Sequence, residues 1–240
     1  MNYSIFHTSH CGSTLLAALL SQSLPTITEP RWSHQIKNHK SKEDIKKHIE
    51  SNLIDGQLTK YSSAYTHVAP LVSGKKVFVY RKLNHHLQKM VSNPEYLHNN
   101  LNYIEDCGKD YIHPKLKESK WGKFKSDLEK QAYYWVQRYF YMKDERDIIF
   151  VDTNELFENP NRECEQICDF FGIKYNPINI NFNVKKARLN HNDYPIRLDN
   201  KMMRNIVPEN PKNHIMKDSD DKEIVYLCKK AVKHLFKYIL

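Results

Sequence analysis

The stretch "FHTSHCGSTLLAALL", residues 6–20, joins an apolar stub to an Ala/Leu-rich run through small polar residues and one glycine, Gly12. Tyr3–His7 reads as a short buried strand and residues 15–22 as a helix, so the link between them is a tight polar turn. A strand, a short turn and a helix beginning near Gly12 to Thr14 aim several backbone N–H groups at one point. The positive end of the helix dipole lies at that same point, and an anion fits there. Gly12 lets an oxygen approach the backbone with no Cβ in the way, and Ser13 and Thr14 add hydroxyl donors.

The rest of the chain repeats the pattern. Residues 77–80 and 148–151 form two further apolar runs of strand length, and helices are predicted after them over 83–90 and 161–171, with Gly172 where a C-terminal cap belongs. Strands alternating with helices imply an α/β protein: a central parallel sheet between two helical layers, three-layer α/β/α and P-loop NTPase-like. A length of 240 residues is read as one domain, 1–240. "SKEDIKKHIESNLI" carries a capping signal, Ser41 with Asp44, and spaces Ile45, Ile49 and Leu53 along one face. "LEKQAYYWVQRYFYM" reads as a core helix, and residues 221–240 as a closing amphipathic helix.

Composition narrows the function classes. No apolar run approaches the roughly 20 residues that span a bilayer, and the first strand leaves no room for a signal peptide. Five cysteines, Cys11, Cys107, Cys164, Cys168 and Cys228, lack metal-ligand spacing, which fits reduced thiols in a cytoplasmic protein. The net charge of +9 favours an anionic partner. Basic runs at 74–91 and 184–204 are read either as solvated faces or as part of an anion site. No RNP-type motif, zinc-finger spacing or low-complexity tail points to nucleic acid.

An ATP-type loop reads G-x-x-x-x-G-K-[ST]. Aligned on Gly12, this chain has His7 for the first glycine and Ser13 for the lysine. Asp152, which ends the apolar run "DIIFVD", keeps a nucleotide kinase or NTPase open, as a magnesium-binding carboxylate would.

His10, Cys11, Gly12, Ser13, Thr14 and Leu15 resemble instead the 5′-phosphosulfate loop of the sulfotransferase family: basic residue, small residue, Gly, Ser/Thr, Thr, then an aromatic or leucine. "IIFVDTNELFENPNRECEQICDFFGI" (148–173) and "KKVFVYRK" (75–82) are similar to two further segments of that family, in the same order. The resemblance implies 3′-phosphoadenosine 5′-phosphosulfate (PAPS) as donor and PAP as product. It places Cys11, Gly12, Ser13, Thr14 and Leu15 on the 5′-phosphate and Arg81 on the 3′-phosphate. Lys89 stands where the family has a serine for that phosphate. Lys186 and Arg188 fall in a late basic loop that also grips it, without the usual R-K-G triplet. His10 replaces the lysine or arginine that stabilises the bridging oxygen as the sulfuryl group leaves. With a reference pKa near ~6.5 it is mostly neutral at pH 7 unless the donor's charge raises it, so activity is expected to favour mildly acidic pH.

By the same resemblance, a glutamate shortly after the first helix is the general base; "TITEPRW" puts Glu29 there, with Arg31 to position it or touch substrate. The alternative for Glu29 is a surface carboxylate paired with Arg31. His67, His85 and His86 are rival bases. No metal is expected, since a sulfuryl group carries less charge than a phosphoryl group. The expected activity is sulfuryl transfer to a hydroxyl or amine on a small molecule or carbohydrate, with neither nucleic acid nor membrane as partner. A non-catalytic member that binds PAP or another polyanion is the remaining alternative.

Overall fold

Strand β1, Tyr3–His7, is buried along its whole length in the computed structural model, and every other strand of the sheet is arranged around it. The structure describes residues 1–39, 41–108, 113–117, 121, 124–177, 189–191, 194–195 and 215–236. On one side β1 pairs in parallel with β4, Lys75–Tyr80, which pairs in parallel with β5, Ile148–Asp152. On the other side it pairs in parallel with β3, Leu58–Lys60, which pairs with β2, Thr26–Thr28. A short strand β6, Leu189–His191, adds in parallel to β2, and β7, Tyr194–Pro195, closes that edge antiparallel. The order is β5-β4-β1-β3-β2-β6-β7.

Alternation along β1 and β4 sorts side chains to the two faces. Ile5 and Val77 join Val151 against helices α1, Ser13–Leu20, and α9, Pro160–Phe171, in one core. Phe6 and Phe78 point the other way, towards α3, Lys42–Asn52, and a 3-10 segment, Ser63–Leu71. Helix α7, Asp127–Lys143, covers this second face. It also packs with α4, Leu83–Val91, α5, Pro94–Gly108, and α10, Lys222–Phe236, in a third cluster rich in Tyr and Trp. Burial on both faces is the signature of a parallel sheet between helical layers, as the sequence predicts.

The predicted caps are present. Ser41 Oγ accepts from the Asp44 N–H at 3.0 Å to start α3, and Gly172 ends α9 at φ 74°. Strands β2 and β3 are not among the predicted elements. Each is three residues long and carries threonine or lysine at positions where a longer strand would show an apolar run.

Gly74 enters β4 at φ 93°, and a Cβ there would lie 2.2 Å from the Asn2 carbonyl oxygen. Both the backbone conformation and the contact exclude a side chain. Gly74→Ala should therefore cost about 2 kcal/mol of unfolding free energy. An unchanged urea midpoint would contradict this packing.

Candidate functional site

The carboxyl ends of β1, β3 and β2 open on one cleft of about 410 Å³. Because β1 has β4 on one side and β3 on the other, the loop after β1 emerges where the chain's crossovers diverge, the usual place for a ligand in such a sheet.

One wall is the loop from His10 to Leu15. His10 and Gly12 both take left-handed backbone conformations, at φ 55° and 81°. At His10 that conformation carries strain of the kind stored at binding sites. No side chain caps α1, and its first intrahelical bond runs from Leu16 N–H to the Gly12 carbonyl at 3.0 Å. The N–H groups of Ser13, Thr14 and Leu15 thus lack intrahelical acceptors, and that of Ser13 faces the Cys11 sulfur. The loop is held from behind. The Thr153 hydroxyl lies 2.6 Å from the Cys11 carbonyl oxygen and 2.9 Å from that of Tyr80, with one proton to share. Arg81 Nε donates to the His10 carbonyl at 3.3 Å, and the Arg81 N–H donates to Thr8 Oγ1 at 3.3 Å.

The opposite wall contains Glu29, Lys60, His7, Ser62, Ser63 and Asn100. Register sets the first two beside each other, since Thr28 of β2 is level with Lys60 of β3. The Glu29 N–H donates to the Lys60 carbonyl at 2.7 Å, and the Lys60 ammonium donates to Glu29 Oε1 at 2.5 Å. Lys60 is almost wholly buried at 2% exposure, while Glu29 keeps 27% and turns at φ 48° into the cleft wall. A buried ammonium therefore fixes the carboxylate where it meets solvent.

His7 lies beneath this pair, with Nδ1 2.8 Å from the Thr8 carbonyl oxygen and Nε2 3.0 Å from that of Tyr61. Burial and the Lys60 charge push its pKa down to about 3, so it is neutral and donates to one of the two carbonyls. His10 is also held below its ordinary value, by burial and then by the Lys89 and Arg81 charges.

Of the sequence-predicted site residues, His10, Cys11, Gly12, Ser13, Thr14, Leu15 and Glu29 line this one cleft. Arg81 and Lys89 stand outside its wall, close enough for their charges to act on His10. Arg81 is buried, and its Nη1 has no hydrogen-bond partner. Lys186 and Arg188 lie outside the described residues. Arg31 is exposed on a short helix, Arg31–His34, and is absent from the cleft wall. Glu29 pairs in the cleft with Lys60, because the neighbouring strand places an ammonium there. The cleft is lined as well by Lys60, His7, Ser9, Ser62, Ser63, Asn100 and Phe157, which no motif marks; the polar run after a three-residue strand has no periodicity.

The rival bases have other partners. His85 Nε2 is 2.9 Å from Asp218 Oδ1, His86 Nε2 is 2.9 Å from Gln131 Nε2, and His67 Nδ1 is 3.1 Å from the Ala64 carbonyl. Asp152 caps the helix Thr153–Glu158 by accepting from the Asn154 N–H at 2.7 Å. Its Oδ2 is buried with no hydrogen-bond partner among the described residues. Cys11, Cys164, Cys168 and Cys228 are free thiols, and no helix among the described residues is long and apolar enough to cross a membrane.

The chain is similar to three solved sulfotransferases. One is the sulfotransferase domain from the curacin biosynthetic pathway, at 13% identity and TM-score 0.48, covering 98% of this chain and 96% of that one. Another is the sulfotransferase domain from the Synechococcus PCC 7002 olefin synthase, at 13% identity and TM-score 0.47, covering 100% and 96%. A sulfotransferase from Alicyclobacillus acidocaldarius has 13% identity and TM-score 0.48, covering 99% and 95%. No family model and no curated protein sequence matches the chain. At such identity the side chains of the cleft must be read from their own chemistry.

Proposed function

We propose that the chain is a PAPS-dependent sulfotransferase that moves a sulfuryl group to a hydroxyl or amine of a small molecule or carbohydrate. One observation carries this reading: a helix N-terminus with open amides faces, across a single cleft, a carboxylate held by a buried ammonium. The first feature suits a phosphate, and the second suits a proton acceptor beside a cation.

The residues fit the donor. Gly12 is in a left-handed conformation that brings the backbone to the cleft, and Ser13, Thr14 and Leu15 supply amides to the 5′-phosphate, with hydroxyls from the first two. Arg81 has an unpartnered Nη1 for the 3′-phosphate, and Lys89 adds charge nearby. When bound, PAPS supplies a sulfuryl group attached to a phosphate leaving group. Glu29 takes the proton of the attacking hydroxyl or amine, and Lys60 keeps that carboxylate oriented. His10, held below its ordinary value, can donate one N–H to an oxygen but adds no charge near neutral pH, so among the described residues of the cleft wall the cation is Lys60.

The test combines thermal shift with transfer of radiolabelled sulfuryl. PAP should raise the unfolding temperature and ATP with Mg²⁺ should not; label should reach hydroxyl or amine acceptors, with turnover unchanged by EDTA. Turnover abolished by EDTA would favour the NTPase reading. Stabilisation by PAP with no transfer over a broad acceptor panel would favour a non-catalytic binder. Within this reading Arg81→Ala should weaken PAP binding by ~1.5 to 3 kcal/mol, the scale of a charge-assisted hydrogen bond. Unaltered affinity in a calorimetric titration would remove Arg81 from the site.

A further inference from the structure

Arg138, on α7, is 4% exposed and lies behind the cleft. Its Nε donates to the Ser63 carbonyl at 2.8 Å, whereas Nη1 and Nη2 are both buried with no hydrogen-bond partner. A guanidinium in the interior needs a counter-charge as well as acceptors, because desolvating an unpaired ion is costly. None of its surroundings among the described residues provides one. The groups that favour its charge, Tyr134 and Cys11, are kept neutral by burial, which pushes the Tyr134 phenol up to about 12 and raises the Cys11 thiol. His7, His67 and His86 each feel Arg138 as a repelling cation. The carboxylate of Glu29 is already bound to Lys60.

Beside Arg138 is a second hollow, of about 20 Å³, lined also by Thr66, His67, Tyr134, Gln137 and Tyr141. One water occupies roughly 10 to 15 Å³ on this measure, so the hollow takes a single atom of water size or somewhat larger and excludes a tetrahedral oxyanion. Phenol hydroxyls and a carboxamide are donors suited to such an atom. Water there would answer hydrogen bonds and leave the charge unbalanced.

We propose that this hollow is a site for one chloride-sized monovalent anion, bound by Arg138 and separate from the cleft that faces Gly12. The site depends on the fold alone and not on the activity proposed above.

Crystals grown in sodium bromide and measured at the bromine edge should show an anomalous peak within about 3.5 Å of Arg138 Nη. Absence of a peak there, whether or not bromide occupies the main cleft, overturns the proposal. In solution, wild-type unfolding is compared in sodium chloride and sodium gluconate at equal ionic strength. Chloride at a hundredfold excess over its Kd should raise the midpoint by about 5 °C, and the rise should saturate. Arg138→Met should abolish that response and unfold in gluconate no lower than wild type, because it deletes an unbalanced charge. Equal wild-type midpoints in the two salts, or a chloride response that survives Arg138→Met, overturn it. If the variant does not fold, the bromide map and the wild-type salt comparison still decide.

Discussion

Glu29→Gln should leave PAP affinity within about twofold while lowering sulfuryl transfer by ~10²-fold or more, as expected when a general base is lost. The substitution keeps the size of the side chain and its oxygen acceptor, so the cleft wall keeps its shape. What disappears is the ability to take a proton at the one carboxylate that, among the described residues, lines the cleft with the loop from His10 to Leu15. A second effect accompanies the first. Lys60, at 2% exposure, loses its ion-pair partner, and breaking a buried pair from one side costs about 3 kcal/mol or more in fully buried cases. Glu29 is partly exposed, so water softens that loss. A PAP titration on the same sample separates the two: intact binding with lost transfer assigns the proton role, and unchanged turnover discards it.

Acid should unfold this protein early. His7 is held neutral with its pKa at about 3, His67 at about 4 and His86 well below the ordinary value, in each case chiefly by burial. In the unfolded chain these imidazoles titrate near 6.5, so below that pH the unfolded state binds more protons than the folded one and stability falls as pH drops. The loss continues until the folded values are reached. Each buried imidazole contributes about 1 kcal/mol between pH 6.5 and 5.5 and approaches about 1.4 kcal/mol per pH unit below that, so three together remove about 3 kcal/mol over the first unit. Urea midpoints measured across that window should decline steeply; a flat profile would mean that the three rings are not neutral and buried together. Activity and stability then pull in opposite directions if protonation of His10 aids the departure of the sulfuryl group, because acid that charges His10 also loosens the core beneath it.

How far the sequence could be read depended on the length of the signal. Strands β1 and β4 are five and six residues long with buried centres, β5 is an apolar run at the sheet edge, and α9 ends on the glycine that local chemistry announces. The loop from His10 to Leu15 was legible because its residue types answer to backbone geometry. Lys60 was not. Its role comes from strand register, which sets it beside Glu29 across a gap of thirty-one residues. Asn100 reaches the cleft from α5 through Ser9, whose hydroxyl donates to Asn100 Oδ1 at 2.8 Å, and no spacing rule links positions ninety-one apart. In sequence Arg138 is one polar position on an aromatic helix, and only the packing around it shows that its charge has no match among the described residues.

The Thr153 hydroxyl, shared between the carbonyls of Cys11 and Tyr80, stitches three parallel strands together at the point where the loop leaves the sheet. A loop set in advance in this way does not have to order itself when an anion arrives, so association should follow a single exponential with a rate governed by diffusion and charge. Cutting the stitch with Thr153→Val would convert that encounter into a slower two-step capture, visible by stopped flow as a second phase.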